Sequence, residues 1–456
     1  MNEFTPMQLS RKDTGRMASY RRNLDFYKGT QWQTTGKQRQ LVFNYARVAI
    51  DKVTSFLMQG LSFAAYPVGE GPGPSQEDLK AQVRRAEQLL REVYEENNLS
   101  QLDWETEIDA AVLGDGCYKI TWDANEECIR VTAPDVSGIF AWWLGDDISR
   151  VWRVASRYSL DADEAEVLYG AHLQKKAVVV TELWTDGEFQ LWLDNNLFQK
   201  KPNPYGFIPF IIFANLREPK QFWGTSDIPA IAQPQRELNR ALSQLSRILE
   251  LSGNPIAVLE NVGSAEDIRV QPGAVWTLPE DAKAYLLDLL QGGGIRLHID
   301  YIDLIYRALH DISETPRAAW GGSEKELSGA ALNIEMGSLV QKVTRKRTIR
   351  TSAYHRRNEL ILKLAEKYLG EDFSGITHRV VWGPILPQDA ARQAQNEQML
   401  VQSGIHSRRT AMDEIGIQDP DEEFQTWLEE RAAIKQQNID LPTPPARAVS
   451  RTRNYE

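Results

Sequence analysis

The residues of this chain that could do chemistry are six histidines, two cysteines and a few close carboxylates, and their spacing argues against most of it. His172, His298, His310, His355, His378 and His406 share no metal-ligand interval, so each is expected as a surface or satisfied core residue. Cys117 and Cys128 are too few for a metal cage and are expected on facing strands, as thiols rather than a disulfide. Asp123, Asn125 and Glu127 alternate like calcium ligands, but the glycine and distal bidentate glutamate of a calcium loop are missing, and a hairpin turn explains them better. Asp146 and Asp147 would be half of a two-carboxylate site for phosphodiester cleavage; no other half can be assembled, which leaves an exposed turn. Gly36 and Lys37 fall short of a phosphate loop, because Gln31 stands where its first glycine belongs and Gln38 where Ser or Thr must hold magnesium. Gly292, Gly293 and Gly294 follow no strand at dinucleotide-binding spacing. No catalytic, cofactor-binding or metal-ligating set emerges, and no enzyme activity is expected.

One charged stretch is harder to dismiss. Lys342, Arg345, Lys346, Arg347, Arg350, Arg356 and Arg357 crowd one segment without compensating acids. Its readings are a solvated helix face, pairing with carboxylates of a neighbouring subunit, or contact with nucleic acid, because like charges left alone repel.

The elements around that stretch organise the chain. Leu238, Leu242, Leu245 and Leu249 mark a helix that Gly253 and Pro255 end; Ile302, Ile305, Leu309 and Ile312 mark a second, stopped by Pro316. Each presents one narrow apolar stripe. A third helix is expected from near Ser328 to Leu369 with no internal break, roughly 60 Å long at about 1.5 Å per residue. Between the first two lies a small insert, with strands expected at 256–260 and 274–278 and a short helix at 281–290.

At 456 residues, 42% hydrophobic and 25% charged, the chain is expected to form several structural units of an ordinary soluble protein. Residues 1–10 lack the apolar core of a secretory signal, and the most apolar run, 207–216, is too short to span a membrane. A net charge of −11 argues against a general nucleic-acid binder, although not against a protein that lets DNA pass without holding it.

Before the first long helix the periodicity predicts helices at 11–28, 45–59, 79–94 and 102–113, with Asn44 as an N-cap. A strand at 61–68 and a glycine-rich loop at 69–75 fall among them. The period then changes to two, predicting a hairpin of 117–123 and 128–133, then strands at 138–144, 150–158, 177–185, 188–194 and 207–214, with a short helix at 161–169. This is an α+β domain with an antiparallel meander. After the long helix, a strand at 377–382 is expected to join that sheet. Three short helices follow, at 388–402, 408–415 and 420–437, with Ser407 and Asp419 as N-caps, before a proline- and arginine-containing tail expected to be disordered.

In this order the chain resembles the portal proteins of tailed double-stranded DNA bacteriophages, the head-to-tail connectors of one capsid vertex. The resemblance rests on Tyr27, Gly29, Gln31 and Trp32, then Asn44, Asp51, Leu57 and Gly60; on Gly224, Ser226, Asp227 and Ile228 before a helix with Asn239 and then Pro255; on Ser328, Gly329, Ala331 and Leu332; and on Gly404, Ser407 and Thr410. Each motif is weak, but the succession of helix, small insert, helix, loop and very long helix is rare. The resemblance implies a phage portal fold: a wing of residues 1–223, stem helices at 224–253 and 294–316, a clip at 254–293 and a tunnel loop at 317–327. It further implies a long wing helix at 328–370, a returning wing strand at 371–383, a crown at 384–438 and a tail at 439–456.

It also implies a dodecameric ring in the virion, assembled in the host cytoplasm, with double-stranded DNA in transit and no membrane. Its implied partners are the terminase, head-completion or adaptor proteins, and the major capsid and scaffolding proteins. Arg317, Trp320, Gly321, Gly322 and Lys325 would form the DNA-facing loop, with Trp320 either pressing on the duplex or anchoring the loop against the stem. Glu260, Glu266, Asp267, Arg269 and Glu280 would be the partner interface of the clip. A DNA-processing nuclease or ATPase, or another ring-forming structural adaptor, is the alternative; magnesium-dependent activity of the purified chain would favour the enzyme.

Overall fold

A computed structural model describes residues 4–32, 41–68, 76–170, 176–253, 256–261, 281–287, 294–322, 329–386, 390–417 and 420–439. It divides into two compact units, Met1–Ile385 and Leu386–Glu456. The first is α+β and opens with a 3-10 turn at Pro6–Arg11 and α1 (Thr14–Lys28). Next comes α2 (Tyr45–Leu57), whose Asn44 cap accepts a hydrogen bond from the Arg47 N–H at 3.1 Å. Strand β1 (Leu61–Pro67) leads to α3 (Gln76–Glu96) and α4 (Leu99–Leu113), ended by Gly114 in the left-handed region.

The hairpin of β2 (Asp115–Asp123) and β3 (Cys128–Thr132) follows, and at its turn the Asp123 carboxylate accepts from the Asn125 N–H at 2.9 Å. The alternating acids there are turn residues. Both cysteines are free. They lie on neighbouring strands but do not face each other, since Cys128 is opposite Asp123 and Cys117 opposite Ile212. Five strands then run as a meander, β4 (Ile139–Leu144), β5 (Asp147–Asp161), β6 (Ala177–Trp184), β7 (Glu188–Leu193) and β8 (Asn196–Pro202), with α5 (Ala162–Tyr169) between β5 and β6. The next strand, β9 (Phe210–Ala214), leaves that sheet and pairs with the far edge of β2.

Beyond it come α6 (Ile228–Gly253), β10 (Ile256–Glu260), β11 (Lys283–Leu287), α7 (Gly294–Ser313), α8 (Gly329–Glu335), α9 (Gly337–Tyr368) and β12 (Ile376–Trp382). The second unit holds α10 (Ala390–Gln402), α11 (Arg408–Glu414) and α12 (Pro420–Ile439), with Ser407 capping α11 through the Thr410 N–H at 3.1 Å.

Four expectations change. The long helix is interrupted at Met336, where ψ falls to −4°, although hydrogen bonds from Met336 to Leu332 and from Val340 to Met336 carry the ladder across. Met336 is buried, and Gly337, a poor helix former, follows it. The insert's expected helix at 281–290 contains a strand instead: β11 pairs antiparallel with β10, and pairing decides what a short apolar run leaves ambiguous. The returning strand β12 does not join the meander but pairs with β1 alone. Their ladder ends where the Gly60 and Gly383 backbones meet, so closely that a Cβ on Gly60 would stand 2.7 Å from Gly383 Cα. Finally, β8 is an unexpected edge strand whose side chains are all exposed, lysines among them. The expected strand at 274–278, the loop at 69–75, the Asp419 cap and the tail lie outside the described residues.

The main core lies where α3 and α4 meet β2, β3, β9 and the second half of α9, around Leu90, Tyr118, Phe213, Tyr354 and Leu364. A second core fills the inner side of the meander around Ile139, Val154, Val180 and Leu191.

Candidate functional site

The helices α6 and α7 lie side by side over a short seam of Leu238, Ala241, Ile305 and Leu309, joined by Tyr45 of α2. Above the seam, Tyr301 donates to the Glu237 carboxylate at 2.8 Å. The seam uses only part of the apolar surface of α7. Leu297, Tyr301, Leu304 and Ile312, spaced so as to share one helix face, stay exposed, Leu297 at 72% and Leu304 at 63%.

At the foot of α7 the chain reverses. Glu314 adopts a positive φ of 55°, and Pro316 starts a 3-10 turn, Arg317–Trp320, closed by Gly321 at φ +83°. The buried His310 ring donates from Nδ1 to the Thr315 carbonyl at 2.6 Å and meets Trp320 edge-on at 4.6 Å between centroids. Trp320 also lies 5.5 Å from the Tyr45 ring, so it is packed between α7 and α2, in the anchoring position. Burial pushes the His310 imidazole below its ordinary value and keeps it neutral at pH 7. Arg317 lies 5.6 Å from the Tyr306 ring, and Gly321 and Gly322 are exposed; Lys325 lies outside the described residues.

The basic stretch turns inward, against all three of its sequence readings. Lys342 donates to the carbonyl of Ser313, the last residue of α7, at 2.9 Å, and pairs with Asp227, directly before α6, at 3.1 Å. One ammonium thus clamps the feet of both helices. Lys346, fully buried, reaches Asp227 at 2.7 Å and the Asn215 amide oxygen at 2.6 Å. Burial alone would raise the Asp227 carboxyl, but the two lysines outweigh it and hold it well below the usual carboxylate range. Arg350 grips Glu107 of α4 with two nitrogens at 2.7 and 2.8 Å and donates to the Ala214 and Asn215 carbonyls at the end of β9. Arg357 holds Asp103 one turn earlier on α4. Arg347 donates to the Phe56, Leu57 and Gln59 carbonyls at the end of α2, and to Gly383. Only Arg345, on Glu314 at 2.6 Å, and Arg356 remain exposed. These cations fasten α9 to α2, α4, α6, α7 and β9.

Sequence reasoning missed the acids of this ladder. Asp103 and Glu107 stand four residues apart on α4 and are buried there, and Lys342, Lys346 and Arg350 recur every fourth residue in phase with Leu339 and Val343. Cations in phase with an apolar stripe were the available signal, because an outward basic face would lie opposite it.

The other candidates do not converge. Glu260 ends β10, exposed, and accepts from Tyr285 at 3.1 Å; Glu266, Asp267, Arg269 and Glu280 lie outside the described residues, as do Gly36 and Lys37. Asp147 accepts from its own turn, from the Ser149 N–H at 3.0 Å. His355 and His378 stack at 4.4 Å, and His378, pushed down to about 4 by burial and by its neighbour, hydrogen bonds the His355 carbonyl. Among the described residues no group of three or more His, Cys, Asp or Glu could hold a metal ion. No helix there is long and apolar enough to cross a membrane.

The family model described as "Phage portal protein, SPP1 Gp6-like" matches residues 8–437. No curated protein matches.

Proposed function

The chain belongs to the phage portal protein family, a structural family of head-to-tail connectors, and from that premise we propose that its copies close into a ring at one capsid vertex around a channel for double-stranded DNA. DNA would be packaged and ejected through that ring. The terminase, and then head-completion or tail proteins, would dock on the insert between α6 and α7.

The exposed apolar face of α7 carries this reading. Three large aliphatic side chains on one face of a two-helix stalk, Leu297, Leu304 and Ile312, favour burial by about 1.5–3 kcal/mol for each fully covered leucine. A neighbouring copy laid against them in the same way for every subunit gives a heterologous contact, which closes into a ring when the rotation is right. The foot of the stalk suits a channel wall. Trp320 is held in place, and Gly321 and Gly322 face solvent. In a ring of chains each carrying −11, the wall would repel phosphates and let the duplex slide, with Lys325 as a transient contact.

Sedimentation velocity of the Leu297→Asp/Leu304→Asp variant tests the reading. Loss of the ring with an unchanged circular dichroism spectrum is expected; rings as stable as those of the wild type would overturn it.

A further inference from the structure

We infer that the cleft between the N-terminal segment and the outer face of the meander binds an acidic peptide segment of another protein. This cleft, about 430 Å³ in volume, opens between the Pro6–Arg11 turn with the start of α1 on one side and β4, β5 and β6 on the other. Among the described residues, Lys12, Arg21 and Arg157 line it and no carboxylate does. That imbalance is local, because acidic residues outnumber basic ones in the chain by 63 to 52. Two acids close to it in sequence are already engaged: Asp13 with Arg16 at 3.2 Å and Asp135 with the Ser137 N–H at 2.8 Å. The Lys12 ammonium rests 4.8 Å from the Trp142 ring centroid, and among the described residues neither Arg21 nor Arg157 pairs with a carboxylate.

The rest of the wall sets the apolar side chains of Leu9, Met17, Phe140 and Val179 beside the hydroxyls of Ser10, Thr14, Ser137 and Ser159. Three cations beside a wall that is apolar in part select a chain that alternates carboxylates with apolar side chains. Inorganic phosphate would satisfy the cations and leave that wall wet, and nucleic acid would meet the repulsion of an acidic protein around it.

The probe is a short fluorescein-labelled peptide of alternating glutamate and leucine, titrated with the full chain and followed by fluorescence polarisation. Binding should weaken with added salt, fall roughly tenfold in the Arg21→Gln/Arg157→Gln variant, and stay unchanged in Arg356→Gln on the exposed face of α9. The exposed Arg21→Gln change alone should give a smaller loss with no effect on the unfolding temperature. Equal binding by wild type and the double variant would overturn the inference. So would complete displacement of the peptide by an equal concentration of inorganic phosphate, or binding of a labelled DNA duplex that the double variant loses.

Discussion

Lys346 shows how strongly this fold depends on single buried charges. Its ammonium is out of contact with water and meets Asp227, Asn215 and, at 3.7 Å, Glu107. Deleting one member of such a group leaves the others as uncompensated charges in a medium that solvates them poorly. Lys346→Met is therefore expected to lower the unfolding free energy by about 3 kcal/mol in urea titration, whereas Arg345→Met, which removes a solvent-screened pair, should change it by less than about 0.5 kcal/mol. A result in which the two variants cost the same would contradict the inward reading of the basic stretch. At this scale the caps at Asn44 and Ser407 were legible in the sequence, because a cap is a local contact. The cation ladder was not, because its acids come from segments more than a hundred residues away.

Among the elements, α9 acts as the spine to which the rest is fixed, and the Arg317–Trp320 turn is its link to the stalk. Trp320 is wedged between His310 and Tyr45, while Lys342 holds the Ser313 carbonyl just before that turn. Trp320→Ala should free the turn without unfolding the meander: amide exchange should quicken at residues 310–322 and remain unchanged in β6 and β7. Exchange that quickens everywhere, or nowhere, would show that Trp320 does not hold the turn. Most elements could be read from periodicity, including all three helices of the second unit and four of the five meander strands. The misses share a physical cause. Strand β8 has no buried side and so no alternation, β11 becomes a strand only by pairing with β10, and β12 finds its partner in β1 through a close glycine contact.

For the whole molecule, the decisive feature is what a single copy leaves uncovered. The α+β cores are well filled, yet Leu297, Leu304 and Ile312 of α7 stay exposed among the described residues, and the family to which the chain belongs builds connectors. This could be read from the sequence only in part: the stripes of both helices were visible, but not that one seam would use so little of the second. Electron microscopy of the purified chain in negative stain, with class averages viewed down the particle axis, tests the central claim most directly. The account predicts closed rings with a central channel wide enough for a DNA duplex. Monomers at high concentration, or compact closed dimers without a channel, would contradict it.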